Sequence, residues 1–509
     1  MVSKKIKVKN SDILEYKIVK KSIDARYKPE LFYIYELDIK VKNEEEILNR
    51  NKNNLDIILS TSEEYIMPSK GNIILNKRIA VVGSGPAGLF CAYLLANMGY
   101  KPIVIERGEK VEDRIITVDK FFNEGILNKE SNVQFGEGGA GTFSDGKLNT
   151  LTKDKFNRCR YVFETFVECG ANNDILVSNM PHIGTDVLRD VVKNLRNKII
   201  NMGGEFLYSS CLTKINIENN KVKSIVINND KVIDVDVLVL AIGHSARDTF
   251  EMINDIGKKM EPKAFAVGIR IQHPQEIINI NQYGDKHYKK MMPASYKLTY
   301  KASNGRGVYS FCMCPGGYVV NASSEEGMLA INGMSYYKRD SVNANSAIVV
   351  TVTPDDFGNG VLDGVKYQRE LEKRAYELGR GNIPIQRLID YYNNIESVKL
   401  GNIQPIFKGK YELSNLNLLY PEYINNSLKE AIVHFGSKIN GFNDDDSIIA
   451  GIESRTSSPV KIIRNEDYVS NIEGIYPCGE GCGYAGGITT SAIDGLKVAE
   501  AIISKYRMM

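Results

Sequence analysis

The residues best suited to chemistry begin with a glycine-rich turn, GSGPAG. In this turn Gly83, Gly85 and Gly88 have the spacing GxGxxG, and Glu106 ends the next hydrophobic run. The first glycine permits a tight turn, the second lets the backbone approach a pyrophosphate, and the third lets helix and strand pack closely. The following helix N-terminus directs N–H groups at the phosphates, and the acid accepts hydrogen bonds from ribose hydroxyls. The stretch therefore predicts a dinucleotide-binding site.

A second stretch, YPCGEGCGYAGGI, places Cys478 and Cys482 among glycines near the C-terminus. The spacing suggests a redox thiol pair, but the glycines and Glu480 suggest a backbone shaped around a ligand. We favour the glycine interpretation, and the redox pair is the alternative. Cys312 and Cys314 form CxC in a predicted strand, so both thiols should face the same way and pack in the interior. A thiol close to the cofactor is the alternative there.

Composition excludes several other classes of protein. Five dispersed histidines and isolated thiol pairs predict no metal site. The start of the chain lacks a signal peptide, and no run approaches the roughly 18 apolar residues of a membrane span. A soluble, cytoplasmic protein with reduced cysteines is therefore expected. The net charge of +3 neither requires nor excludes an acidic partner. The sequence leaves the oligomeric state open.

The first thirty residues are locally basic. They contain nine lysine or arginine residues and four acids, a net charge of +5. A solvated surface is the favoured interpretation of such a segment, so nucleic-acid binding is the minor alternative.

Hydrophobic periodicity predicts an α/β protein of three domains, which are residues 1–75, residues 78–254 with 451–509, and residues 255–450. In the small N-terminal α/β domain KKIKVK and ELFYIYELDIKV are predicted strands, whereas SDILEYKIVKKS and NEEEILNRN are predicted helices. The second, discontinuous domain is Rossmann-like, with a helix over 185–201, a strand meander, a buried strand ending in VLAIG and a final amphipathic helix. The third is an inserted mixed α+β domain.

These segments resemble the glutathione-reductase-like flavoproteins, and most closely the uncharacterised FAD-dependent dehydrogenases often labelled NAD(FAD)-utilising. The resemblance spans nearly the whole chain and is carried by SIDARYKPELFYIY, QFGEGGAGTFSDGKLNT, GHSARDTF, PKAFAVGIRIQHPQ, FCMCPGGYVVNASSEEG, NGMSYYKRDSVNANSA, RTSSPVKI and YPCGEGCGYAGGI. It implies bound FAD, a Rossmann-like FAD-binding domain with an inserted substrate domain, and oxidoreductase activity. The family label names no substrate.

The resemblance also implies a role for individual residues. A helix N-terminus at the pyrimidine edge of the flavin would stabilise the negative charge of the reduced ring. The implied FAD contacts are Gly83, Gly85, Pro86, Ala87 and Gly88 at the pyrophosphate, Glu106, Arg107, Leu212, Gly243 and His244 towards the adenosine, Gly138, Gly139, Ala140 and Gly141 in a loop beside the flavin, and Gly479, Glu480, Gly486, Gly487 and Ile488 at the ribityl chain and pyrimidine edge.

Two residues are candidates for catalysis. Lys147, in the loop QFGEGGAGTFSDGKL, should lie near flavin N5 and assist hydride or proton movement, and Asp145 is the second ionisable residue of interest there. Arg455 lies where the chain returns to the flavin domain, with Arg464 nearby. An arginine at this place is expected to grip a substrate carboxylate through two hydrogen bonds, and a structural ion pair is the alternative.

The type of flavin chemistry follows from what is missing in the sequence. No second GxGxxG unit follows residue 110, and the first flavin-domain helix has only Cys91 instead of the cysteine pair of the disulfide reductases. NADH or NADPH is therefore expected only as a transient reductant. The leading hypothesis is an FAD-dependent oxidoreductase that exchanges hydride with an organic small molecule. The alternatives are a flavoprotein that modifies RNA and a non-catalytic flavin-binding protein.

Overall fold

The computed structural model describes residues 2–61, 64–150 and 154–508. Their strands, in chain order, are β1 Ile13–Asp24, β2 Phe32–Val41, β3 Ile73–Leu75, β4 Arg78–Val82, β5 Ile103–Ile105, β6 Glu205–Leu207, β7 Leu212–Glu218, β8 Lys221–Ile227, β9 Lys231–Leu240, β10 Met260–Pro262, β11 Phe265–Pro274, β12 Thr299–Lys301, β13 Gly307–Cys314, β14 Tyr318–Asn321, β15 Ile331–Met334, β16 Asn343–Val352, β17 Ile383–Arg387, β18 Phe407–Lys408, β19 Tyr411–Leu413, β20 Ile448–Glu453, β21 Val460–Ile462, β22 Ile475–Pro477 and β23 Tyr506–Met508. The α-helices are α1 Val2–Ile6, α2 Glu44–Arg50, α3 Pro86–Asn97, α4 Val111–Glu124, α5 Arg158–Glu168, α6 Thr185–Asn201, α7 Arg247–Asp255, α8 Gln275–Tyr283, α9 Pro354–Phe357, α10 Asp363–Leu378, α11 Leu388–Tyr392, α12 Glu422–Gly436 and α13 Ile488–Lys505. Short 3-10 turns occur at Asn10–Asp12, Ala140–Phe143, Asn173–Leu176, Tyr288–Lys290 and Leu416–Leu418.

The first large sheet is Rossmann-like, as predicted. Strands β6, β5, β4 and β9 are neighbours and run parallel, β22 joins β9 in parallel, and β8 and β7 extend the sheet antiparallel. Ile79, Ala80 and Val81 of β4 are buried at successive positions because both faces of the sheet are covered. Helices α3, α6 and α13 pack on one face, and β7, β8 and α7 pack on the other. Helices α3 and α13 pack closely, since a Cβ on Gly495 would lie 2.1 Å from the carbonyl oxygen of Ala87.

The second large sheet has the order β12-β13-β16-β11-β20-β17-β19. Its centre is the antiparallel pair β11 and β16, which stays in register from Phe265↔Val352 to Pro274↔Asn343. Helices α8, α10 and α12 contribute to its core. Strand β10 pairs with β21 where the chain leaves the first sheet and returns to it. This pairing is consistent with the expected insertion, and the domain limits stay a prediction.

The N-terminal unit differs from its prediction in two elements. Part of KKIKVK lies in α1 rather than in a strand, and most of SDILEYKIVKKS forms β1 rather than a helix. Strand β1 pairs with β2 in an antiparallel hairpin. Pairing with β2 therefore overrides the local helix-start signals, because strand formation depends on cross-strand partners. The predictions of β2 and α2 are confirmed.

Candidate active site

One large cavity lies where the two large sheets meet, at the carboxyl ends of β4, β5 and β9. Its volume is about 590 Å³, within the range of roughly 300–1,000 Å³ common for ligand and cofactor sites. One end is formed by the turn after β4, residues 134–141 of the loop between α4 and α5, and the loop before α13. The other end is formed by β13, β15 and β20. Residues far apart in sequence therefore share a single site.

The turn after β4 requires its first glycine and opens the cavity at its second. Gly83 has φ +98°, and a Cβ there would lie 2.2 Å from the carbonyl oxygen of Ala241. A Cβ on Gly85 would meet only the Cα of Gly139, at 3.8 Å. The first turn of α3, whose N–H groups have no acceptor within the helix, begins at Pro86 and lines the cavity. This geometry suits a bound phosphate.

Glu106 lines the cavity and also holds its walls together. Its carboxylate accepts hydrogen bonds from the N–H and hydroxyl of Ser84, at 2.9 and 2.7 Å, and from the N–H groups of Gly108 and Gly136, both at 3.0 Å. The sequence assigned Glu106 only to ribose. The structure adds that it joins the turn after β4 to the loop between α4 and α5.

Arg107 also lines the cavity, but its guanidinium is occupied by acids. It donates to Glu130 and makes two hydrogen bonds to Asp248, all at 2.9 Å. The same guanidinium lies 4.2 Å from the centroid of the Phe135 ring. Arg107 therefore shapes the predicted adenosine end of the cavity rather than presenting a free charge there.

A buried arginine organises the loop that carries Gly138, Gly139, Ala140 and Gly141. Arg114 is fully buried on α4. Its guanidinium donates to five carbonyl oxygens of the loop, those of Asn132, Val133, Gly136, Glu137 and Gly139, at 2.7–3.1 Å. These donors replace the missing side-chain contacts of a glycine-rich segment. The loop therefore has a braced backbone despite its many glycines.

The loop before α13 closes the same end of the cavity. A Cβ on Gly486 or Gly487 would meet no atom within 4 Å, so the backbone there borders open space. Ile488 starts α13 and lines the cavity. Nearby, His244 Nδ1 lies 2.7 Å from Glu480 Oε2, whereas His244 Nε2 is buried without a hydrogen-bond partner in the described residues. One polar atom of this pair is therefore left for a ligand.

Of the predicted site residues, eighteen line the cavity: Gly83, Gly85, Pro86, Ala87, Glu106, Arg107, Gly139, Ala140, Gly141, Lys147, Leu212, Gly243, His244, Arg455, Glu480, Gly486, Gly487 and Ile488.

Three predicted contacts, Gly88, Gly138 and Gly479, do not line the cavity. A Cβ on Gly88 would lie 1.9 Å from the carbonyl oxygen of Gly83, and one on Gly138 would lie 2.0 Å from Thr142 Oγ1. Gly479 has φ +77°, and its N–H donates to Asp494 at 2.7 Å. These glycines permit close packing behind the cavity wall, and their direct contact with the cofactor stays a prediction.

Lys147 lines the cavity from a short bridge to His182. Within the described residues its ammonium has no hydrogen bond or ion pair. Asp145 also lines the cavity, but its carboxylate is paired with Arg339. The two ionisable residues of interest in this loop therefore differ: the lysine is free to meet a ligand and the aspartate is already neutralised.

Arg455 reaches the cavity wall, yet its donors are already used. Its Nε and Nη2 donate to the two oxygens of Glu372 at 2.9 and 2.8 Å, and its Nη1 donates to Ser245 and Ser324 at 3.1 and 2.6 Å. Because the guanidinium donates to protein acceptors throughout, the structure favours the structural ion pair, and a grip of Arg455 on a substrate carboxylate stays a prediction. Arg464 is likewise paired, with Asp494.

The CxC pair does not behave as a regular strand would require. The pairing register of β13 shifts between Phe311 and Cys314, and Cys312 has φ +41°. Both cysteines line the cavity, but the bulge leaves Cys312 exposed and Cys314 buried, so the two thiols do not share a face. Arg270 holds this bulge by donating twice to the carbonyl oxygen of Cys312 at 3.2 Å. Although Cys312 borders the open cavity, the protein around its thiol desolvates it and raises its pKa to about 12.

Cys478 and Cys482 are both fully buried. The thiol of Cys482 donates to the carbonyl oxygen of Leu240 at 3.1 Å, and burial raises its pKa to about 12. A buried thiol with a raised pKa is a poor nucleophile. No cluster of metal-ligating side chains occurs in the described residues.

Sequence reasoning missed the buried acids and bases that support the cavity. Glu453 lines it and accepts from Arg270 Nε at 2.8 Å, and Glu372 binds both Arg455 and Arg247. Each pair joins residues that are distant in the chain, so no local spacing could have indicated it. Only the charged residues within otherwise apolar strands, such as Arg270 in AFAVGIRI, offered a signal.

Comparisons with known proteins agree with this geometry. Residues 264–456 match the family described as FAD-dependent protein, C-terminal domain-like, residues 81–112 match an NAD(P)-binding Rossmann-like domain, and residues 1–40 match a domain of unknown function. An uncharacterised protein of Clostridium beijerinckii is 48% identical, and the match covers 99% of this chain and 95% of that protein.

Solved structures resemble the chain more loosely. Glycine oxidase from Bacillus cereus is 10% identical with a TM-score of 0.36, over 84% of this chain and 95% of that one. L-proline dehydrogenase from P. horikoshii is 13% identical with a TM-score of 0.36, over 86% and 94%. The family assignment rests on the sequence matches. In the part of the chain described, no helix has the length and apolarity to cross a membrane.

Proposed function

The chain belongs to a family of FAD-dependent oxidoreductases, and from that premise we propose that it transfers hydride between FAD and a small organic anion. FAD is the cofactor, and its bound flavin ring supplies the hydride acceptor or donor. The anionic character of the substrate is inferred from charges at the end of the cavity opposite the glycine turn.

The glycine end of the cavity fits FAD. Gly85, Gly486 and Gly487 leave room beside their backbones where a side chain would project. The first turns of α3 and α13 both line the cavity, and their N–H groups suit the pyrophosphate and an electron-rich ring edge. The unpaired Nε2 of His244 adds a buried polar atom that requires a partner.

Unbalanced positive charge at the other end carries the proposal. Lys147 and Lys297 line the cavity, and in the described residues neither ammonium has an ion pair. The nearby acids are neutralised, because Asp145 is paired with Arg339 and Glu453 with Arg270. A cavity wall with free ammonium groups and satisfied carboxylates attracts an anion. Lys147 binds and orients that anion and holds a proton that it can donate to a developing oxyanion.

The test begins with the purified, yellow protein under anaerobic conditions. Flavin bleaching is followed with NADH, with NADPH, and with small carboxylates compared with their neutral amides. Carboxylates should react in preference to amides. Lys147→Ala should lower kcat/KM for the carboxylate about tenfold or more, because it removes a charged hydrogen bond. Lys147→Arg should recover part of the loss, and Lys399→Ala, an exposed control away from the cavity, should change nothing.

Equal bleaching by acids and amides would exclude the anionic substrate, as would an unchanged kcat/KM in Lys147→Ala. A colourless protein that cannot be reconstituted with FAD would contradict the cofactor itself. Bound FAD with no bleaching by any donor would favour the non-catalytic alternative.

A further inference from the structure

Glu453 is a cavity carboxylate with one unoccupied oxygen. It ends β20, is 2% exposed and lines the cavity. Its Oε2 accepts from Arg270 Nε at 2.8 Å, whereas Oε1 has no hydrogen bond among the described residues. Oε1 keeps contact with open space, unlike the fully enclosed unpaired atoms of those residues, and the open space beside Glu453 is the cavity. Asp145, by contrast, has both oxygens occupied by Arg339.

Arg270 fixes the orientation of this carboxylate and is itself fully occupied. It is completely buried on β11. Besides Glu453, it donates to the carbonyl oxygen of Cys312 and to the side-chain oxygens of Asn332 and Asn345. All three of its nitrogens therefore have acceptors within the protein. Its charge balances that of Glu453 without covering Oε1.

Glu453 and Lys147 border the same end of the cavity. Both charges act on the thiol of Cys312, which lines the cavity as well. The pKa of that thiol is raised mainly by desolvation, is lowered by Lys147 and is raised by Glu453. Because both charged groups lie within electrostatic reach of one thiol, a small molecule held by Lys147 can present a neighbouring polar group to Oε1.

The surroundings of Glu453 suit a group that exchanges a proton. The charged and titratable groups that face it are Arg270 from β11, His244 after β9, Cys312 from β13 and Tyr420 before α12. Burial raises the pKa of Glu453 by more than Arg270 and His244 lower it, so the pKa lies above its ordinary value. A proton acceptor works best with a pKa near the operating pH.

We propose that Glu453 Oε1 is the proton acceptor of the reaction, and that the substrate is a small carboxylate with a hydroxyl or amino group on the carbon that is oxidised. The inference rests on the proposed function. Lys147 holds the carboxylate. The C–H bond of that carbon breaks and its hydride passes to the bound flavin. The O–H or N–H bond breaks as well, its electrons form C=O or C=N, and Oε1 takes the proton. The substrate thus loses two electrons and the flavin gains them.

The first experiment titrates Glu453 in the full-length, FAD-loaded protein. Carbon-13 NMR with labelled glutamate carboxyl groups follows the resonance that Glu453→Gln removes. Its midpoint should lie above the ordinary value of about 4.3. Acetate should raise that midpoint further, because a second negative charge favours the protonated form. Asp356→Asn is the control, since Asp356 also pairs with an arginine but does not line the cavity, and it should leave the titration unchanged.

Turnover supplies the second measurement. Anaerobic flavin reduction is followed with lactate, alanine and their larger homologues, compared with the corresponding carboxylates that lack the hydroxyl or amino group. Glu453→Gln should lower kcat about a hundredfold or more and change KM less than about threefold, because Lys147 still binds the anion. In the wild type kcat/KM should rise with pH through the pKa of Glu453, since only the ionised carboxylate accepts a proton. This rise should be absent in Glu453→Gln and present in Asp356→Asn.

Glu453→Asp keeps the negative charge beside Arg270 but draws the free oxygen back from the cavity. A lower kcat in this variant, with unchanged thermal midpoint and FAD content, separates proton transfer from folding. A titration midpoint at or below about 4.3, no response to acetate, or wild-type turnover in Glu453→Gln would overturn the inference and leave hydride transfer standing. Equal reduction by the unsubstituted carboxylates would overturn the substrate class. Absence of reduction by every carboxylate in the wild type would instead contradict the proposed function.

Discussion

Replacement of Glu372 by glutamine should strongly destabilise the contact between the two large sheets. Glu372 lies on α10 and is fully buried. Its carboxylate binds Arg247 of α7 and Arg455 after β20, at 2.7 and 2.8 Å. It also accepts from the hydroxyl of Ser454 at 2.6 Å. One carboxylate therefore pairs with two buried guanidinium groups that come from different parts of the fold.

The expected loss is large because glutamine keeps the shape but removes the charge. Breaking a buried ion pair from one side typically costs about 3–5 kcal/mol, since it leaves an uncompensated charge. Arg247 retains Glu325, which is only partly buried, at 2.6 Å, so the lower end of that range is the better expectation. Glu372→Gln should thus lower the free energy of unfolding by about 3 kcal/mol.

The assay is urea unfolding followed by flavin fluorescence and by circular dichroism. Glu377→Gln is the control, because Glu377 lies on the same helix and pairs at 3.9 Å with Lys373 while both side chains stay exposed. It should cost less than about 1 kcal/mol. Equal midpoints for Glu372→Gln and Glu377→Gln would refute the argument that the buried cluster holds the sheets together.

The same carboxylate predicts a pH dependence. Burial alone raises the pKa of Glu372, but Arg247 and Arg455 lower it by more, so its folded pKa lies below the ordinary value. A depressed folded pKa contributes stability above the unfolded pKa of about 4.3 and loses it as the pH falls towards the folded pKa. The difference in unfolding free energy between wild type and Glu372→Gln should therefore shrink below about pH 4.

Three other predictions follow from single positions. Gly83→Ala should lose bound FAD, because φ +98° and a carbonyl oxygen 2.2 Å from the new Cβ exclude a side chain. The flavin-to-protein absorbance ratio measures this loss. The control Gly305→Ala, with φ +85° but no atom within 4 Å of the new Cβ, should keep its FAD. Cys482→Ala should retain normal flavin turnover in stopped-flow reduction, and a loss with FAD still bound would restore the redox-pair hypothesis. Lys258 is buried, its Nζ has no hydrogen-bond partner among the residues that the structure describes, and burial lowers its pKa to about 7. The buried charge therefore destabilises the folded protein most below about pH 7, and this cost shrinks as the pH rises to the unfolded pKa of about 10.4. Lys258→Met should thus raise the thermal midpoint at pH 6 more than at pH 10. Equal shifts at the two pH values would contradict this.

Local patterns in the sequence predicted most of the framework. The helix over 185–201 matches α6, and AFAVGIRI and SAIVVTV lie in β11 and β16. These elements have strong periodicity or long apolar runs, which local residue types determine. Local patterns did not predict the hairpin. Strand β1 contains helix-start residues, and only its pairing with β2 makes it a strand.

The site divides in the same way. The sequence alone determined the glycine turn, Glu106 and the loop before α13, because backbone approach to a ligand needs glycine at fixed spacing. Only the tertiary structure decided that Arg455 is consumed by Glu372, that Asp145 is neutralised by Arg339, and that Cys312 opens into the cavity. Charge pairing and burial depend on neighbours from distant segments, so the free charge of a site is known only once the chain has folded around it.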